Sequence, residues 1–170
     1  RAADMTRKCV ERIKALEGDK KIVIVDNASP NGTGQELLDE YTEDSEIKVI
    51  LNPENSGFAK GNNMGVRWVQ ENVPANFVVV LNNDVEILQK DFGPKVEAIY
   101  RRHSFDVLGP DIISVFSGIH QNPKSLHGYS LESVRKKREK VARTKNPILL
   151  LLSSGEKNSI IPTVTASALI

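Results

Sequence analysis

Two apolar runs that each end abruptly in a polar cluster with one carboxylate constrain this chain most. Ile22-Val23-Ile24-Val25 stops at Asp26, and Phe77-Val78-Val79-Val80-Leu81 stops at Asn82-Asn83-Asp84. Unbroken β-branched runs are typical of parallel strands buried on both faces. Ligands of such sheets bind beyond the carboxyl ends of the strands. If the two strands run the same way, Asp26 and Asp84 share one edge, where a charged ligand or a metal can be held.

The segments between the runs alternate. Met5, Cys9, Val10, Ile13 and Leu16 recur at helical spacing over 2–17, and Gly18 stops the helix. Strand 21–26 follows, then a turn-rich loop over 27–34. Thr33 with Glu36 predicts a capping box for a helix over 34–42. A strand over 47–51, a helix over 57–72, a strand over 77–82 and a helix over 88–102 complete an α/β order with a mostly parallel sheet and helices on both faces. Beyond Gly109-Pro110 the character changes, to a loop region, a basic helix over 130–145, a short strand over 148–152 and a tail rich in serine and threonine.

Bulk properties narrow the function. The 170 residues fit one domain, read as a first half over 1–110 and a second region over 111–170. A net charge of +1 gives no argument for nucleic acid. The single cysteine, Cys9, excludes an internal disulfide, fits a reducing compartment and reads as a small hydrophobe on a helix. No segment approaches the roughly 20 apolar residues of a membrane span. Arg1 stands where an initiator methionine is expected, so the chain reads as part of something longer.

Several constellations carry chemistry. Gly32-Thr33-Gly34 begins a dinucleotide fingerprint, but Leu37 occupies the third glycine position, and the glycines come six residues after the strand instead of at its end. No phosphate-binding P-loop pattern occurs. Asp26 alone also fits a strand-ending residue that bonds its own turn. Asn82-Asn83-Asp84 groups three oxygen-bearing side chains. A lone carboxylate among them suits Mg2+ or Mn2+ arriving with a nucleotide diphosphate better than a protein-only cage. Gly57, Gly61 and Gly65 make a smooth helix face that fits close packing, whereas Asn62-Asn63 are poor helix formers suited to bonding sugar hydroxyls or a base.

Taken in order, Asp26-Asn27-Ala28-Ser29, Asn55-x-Gly57-Phe58-Ala59-x-Gly61-Asn62-Asn63-x-Gly65 and Leu81-Asn82-Asn83-Asp84 resemble family-2 glycosyltransferases of the GT-A fold, nearest the bacterial rhamnosyltransferase-like branch. The resemblance covers residues 1 to about 125. It implies an inverting, metal-assisted transfer from a UDP- or dTDP-linked sugar to a saccharide or lipid-linked acceptor. Asp26, Asn27, Ser29, Gly57, Asn62, Asn63, Asn82 and Asn83 are then donor-binding, and Asp84 meets the metal and the diphosphate. Asn62 replaces the arginine, and Asn82 the first aspartate, of the family's motifs.

The resemblance also implies a first strand lying between the two apolar runs and a later catalytic base, neither matched here. The expected location is cytoplasmic, at the inner membrane face if the Arg135-Lys136-Lys137-Arg138 run meets anionic lipid instead of serving as a solvated helix face. Two other readings remain open: a nucleotide-binding module without catalysis, and a receiver-like domain phosphorylated on Asp26, which lacks the paired acids such a domain needs.

Overall fold

The structure is a computed structural model that describes residues 2–120. The basic helix and strand expected beyond residue 129 lie outside the described residues. Residues 2–105 belong to one compact unit, and Asp106 begins a second. The first unit holds α1 (Ala2–Lys14), β1 (Ile22–Asp26), α2 (Thr33–Tyr41), β2 (Ile47–Leu51), α3 (Phe58–Asn72) and α4 (Phe92–His103).

β1 and β2 pair in parallel, with Ile22 opposite Ile47 and Asp26 opposite Leu51. Asn52 N–H donates to the Asp26 carbonyl at 2.8 Å and closes the ladder at its carboxyl end. Every residue of β1 is buried, and Ile22 to Val25 are 0–1% exposed. Alternate side chains serve opposite faces. Ile22 and Ile24 join Ile47, Val49, Leu37 of α2 and the Cys9-Val10-Ile13 face of α1 in one core. Val23 and Val25 join Val69 of α3, flanked by Ile50, Met64 and Trp68, in the other. Burial on both faces explains why β1 reads as an unbroken apolar run.

Three expectations change in the structure. Residues 77–82 form no strand: among the described residues β1 pairs only with β2. Their side chains still divide as a strand's would, Val79 and Leu81 to the first core and Val78 to the second. The apolar pattern records this two-sided burial, and no ladder partner turns it into a strand. The first helix ends three residues early, where Leu16 N–H bonds the Ile13 carbonyl at 3.1 Å and Glu17 N–H is drawn to the Lys90 carbonyl at 2.8 Å.

The capping box also fails to form. Asn31 Oδ1 instead accepts the Thr33 hydroxyl at 2.6 Å and the Thr33 N–H at 3.2 Å. Glu36 is taken by Arg7, which reaches it at 2.5 Å and Glu40 at 2.8 Å, tying α1 to α2. The last helix begins at Phe92 with Pro94 in its first turn, where the missing N–H costs nothing.

In the second unit Ile113 bridges His120 antiparallel around a turn closed by Gly118 N–H on the Ser114 carbonyl at 2.8 Å. His120 Nδ1 lies 2.6 Å from Asp111 Oδ2, so this histidine is paired within its own loop. Among the described residues no helix is long and apolar enough to cross a membrane.

Burial pushes the Cys9 thiol up to about 11, against the pull of Arg12 and with a push from Asp84. The folded chain therefore holds this proton more tightly than the unfolded chain, whose thiol titrates near 9.0. The stability Cys9 contributes is complete below that pH and declines as pH rises from there toward about 11. Urea midpoints of the wild type are expected to fall more steeply over this interval than those of Cys9→Ala. Equal slopes would show that the thiol is not shielded.

Candidate functional site

The carboxyl edge of β1 and β2 gathers most of the polar residues singled out in the sequence. Asp26 ends β1 and is 9% exposed. The chain turns sharply behind it, with Ala28 in the left-handed region at φ 61°. That conformation is costly for a residue with a Cβ. It brings the Ser29 N–H back to Asp26 Oδ2 at 3.1 Å. The carboxylate packs against the first turn of α2 at Gly34. A Cβ on Gly34 would stand 2.5 Å from both Asp26 Cγ and Oδ2. Gly34 is thus a positioning residue: its lack of a side chain makes the seat for Asp26. A glycine in the first turn of the helix that follows a strand-ending aspartate was its only trace in the sequence.

Asn27 is wholly engaged with the loop after β2. Its Oδ1 accepts Asn52 Nδ2 at 2.7 Å and the Ser56 N–H at 3.3 Å, and its Nδ2 donates to Asn55 Oδ1 at 3.0 Å. Asn52 Nδ2 also donates to Ser56 Oγ at 2.8 Å, and Asn55 Oδ1 accepts the Gly57 N–H at 3.0 Å. Gly57 opens α3 at φ 84°, ψ 163°, a region that only glycine occupies readily. Gly61 lies one turn on, and its missing Cβ leaves room for the Asn27 carboxamide, which a Cβ would meet at 3.4 Å.

The next residue is Asn62, 8% exposed. Its Oδ1 is buried and has no hydrogen-bond partner among the described residues. Asn63 is turned about 100° farther around the helix and is exposed, lining a groove together with Asn52, Ser56 and Trp68. The structure therefore separates the two asparagines that the sequence places side by side.

The Asn82-Asn83-Asp84 cluster divides in the same way. Asn83 is buried, and its Nδ2 donates to Thr6 Oγ1 of α1 at 3.0 Å, a bond that anchors the segment. Asn82 is half-buried and Asp84 exposed. Cys9 Sγ meets the Val85 carbonyl at 4.0 Å, so α1 holds this segment on both sides of Asp84.

Among the described residues no three histidine, cysteine or acidic side chains come together as a metal site. The donor set does fit a cation that needs one protein carboxylate and fills its shell with water and phosphate.

Residues 1–155 match the model of the family described as glycosyl transferase family 2. The chain belongs to that family. Membership carries the GT-A fold, and the helix-flanked parallel pair is the part of it described here. Among curated proteins, the low-salt glycan biosynthesis hexosyltransferase Agl10 of Haloferax volcanii is 28% identical over 99 residues. That stretch is 58% of this chain and 30% of the relative, so the match spans less than a third of the relative's length. No solved structure matches the chain.

The family's motif segments thus fall into two kinds. Asp26, Ser29, Gly57 and Asn62 stand at the edge of β1 or the opening of α3, whereas Asn27 joins that edge to the loop after β2 and Asn83 anchors its own segment to α1. Gly34→Ala is expected to cost about 1–3 kcal/mol through overpacking against Asp26. Asp26→Gly removes the atoms it would strike. A double-mutant cycle in urea should then give a coupling energy above about 0.5 kcal/mol, and additivity would contradict the contact.

Proposed function

We propose that the protein transfers a sugar from a nucleotide-diphosphate donor to a saccharide or lipid-linked acceptor, with inversion at the anomeric carbon and with Mg2+ or Mn2+ bound at Asp84. The observation that carries this reading is the strand-ending carboxylate of Asp26, seated on Gly34 and oriented by the Ser29 N–H at the carboxyl edge of β1.

Asp26 then accepts from a ribose hydroxyl or a base N–H, with its second interaction fixed by the Ser29 N–H. Gly57 keeps the mouth of α3 free of side-chain bulk. Asn27 and Asn83, donor-binding by the motif order, also hold their own segments in place. Asp84, with Asn82 beside it, would hold the cation. When bound, that cation neutralises the diphosphate leaving group as a Lewis acid.

The acceptor hydroxyl must lose a proton to a general base, a role assigned to no described residue. The rhamnosyltransferase-like motif order and the hexosyltransferase relative both favour a six-carbon donor sugar. UDP and dTDP are the carriers proposed. The basic run at residues 135–138 would favour a cytoplasmic membrane face carrying anionic lipid.

In the full-length protein Asp84→Ala is expected to lower kcat about 10²–10³-fold, the usual loss on removing one electrostatic stabiliser of the transition state. Unchanged turnover at saturating Mn2+ would sink the metal assignment. Calorimetry with UDP and Mn2+ on the wild type tests donor binding directly, and binding without sugar transfer would assign a non-catalytic nucleotide-binding role instead.

A further inference from the structure

We infer that the outer side of α3 carries a second ligand site, a groove for a neutral saccharide. Its chemistry does not depend on the glycosyltransferase reading above. The groove is an open hollow lined from α3, the end of β2 and the loop between them, with a volume of about 650 Å3. That volume falls within the roughly 300–1,000 Å3 of small-ligand sites. Trp68, Ile50 and Met64 give it an apolar wall, and Glu54, Lys60, Asn63, Arg67 and Glu71 converge on it from the rim.

Two acids and two bases line the groove, and among the described residues none of the four forms an ion pair, although Arg67 and Glu71 are spaced i, i+4 on one helix. Lys95–Asp91 and Arg101–Glu97, at the same spacing in α4, do pair, at 2.9 Å each. The groove is therefore electrically balanced yet lined with unspent donors and acceptors. The two glutamates offset the two cations, so the groove has no net attraction for a phosphate, and an apolar peptide would have to bury four charges. A neutral polyhydroxylated ligand matches both sets. Its hydroxyls donate to the carboxylates and accept from guanidinium, ammonium and amide, while its C–H face lies against the indole. Lys48 Nζ stands 5.9 Å from the Trp68 ring centroid and is not one of the residues that line the groove.

The groove also adjoins the donor edge. Asn52 and Ser56 line it and bond Asn27. Asn63, which the donor edge leaves unused, faces into it. A glycan seated there therefore has one end beside the Asp26 edge.

Trp68 is the single tryptophan of the sequence and reports on the groove through its fluorescence. Maltotriose, mannotriose and chitotriose are titrated into the full-length protein, with the signal defined as that abolished in Trp68→Phe. At least one trisaccharide is expected to give a saturating change at or below about 10 mM, an affinity of about 3 kcal/mol. Exposed-residue variants Arg67→Ala and Glu71→Ala should each weaken that binding about tenfold, or 1.4 kcal/mol. UDP with Mn2+ should leave Trp68 silent while still binding by calorimetry. No response to any of the three sugars, binding unaffected by both variants, or a Trp68 response to UDP would overturn the groove assignment. Loss of UDP binding with the sugar response intact would overturn the donor reading alone.

Discussion

Everything described here hangs on the burial of β1 from both sides. Four successive aliphatic residues have essentially no contact with water, two committed to the core under α1 and α2 and two to the core under α3. Burial of one such side chain is worth about 1.5–3 kcal/mol, so the strand cannot shift by one residue without exchanging its two faces. That register fixes where the chain first becomes polar. Asp26 has to stand at the carboxyl edge, and the loops after β1 and β2 have to meet beside it.

At that edge the apolar constraint passes to hydrogen bonds. The carboxamide of Asn27 joins the end of β1 to Asn52, Asn55 and Ser56, four residues of two loops that share no helix or strand. Each neutral bond contributes about 0.5–1.5 kcal/mol net, little on the scale of the core. Their effect is geometric. They set the angle at which the chain enters α3, and Gly57 supplies the backbone conformation this entry demands. The Gly61 face then closes against Asn27, and Asn62, next along the helix, is buried.

The sequence made the layering legible because hydrophobic period is a local record of burial. β1, β2 and the three helices flanking them stand within a few residues of where their patterns end. It misled at residues 77–82 for the same reason: period reports which side chains are buried and nothing about whether a neighbour supplies ladder bonds. The capping box was lost to a residue 29 positions away, Arg7, which outcompetes a local bond to Glu36. Gly34 and Ala28 were hidden for another reason. One matters for an atom it lacks and the other for a backbone angle, and neither leaves a polarity signal. Asp26, Asn62 and Asp84 were legible as candidates because their chemistry is carried by the side chain itself. Which neighbouring asparagines serve the fold instead, as Asn83 does through Thr6, depends on contacts 77 residues apart.

α3 borders both the carboxyl edge of β1 and the groove. Successive residues of a helix diverge by about 100°. Asn62 and Asn63 can therefore be adjacent in sequence and still serve different surfaces, one buried beside β1 and one open toward Trp68. A helix packed by Gly61, Gly65 and Val69 against β1 is poorly able to rotate, because rotation would drive side chains into Asn27 or expose Val69. The separation between the two surfaces is thus set by the core. A single rigid element then keeps the two surfaces in a fixed relative geometry.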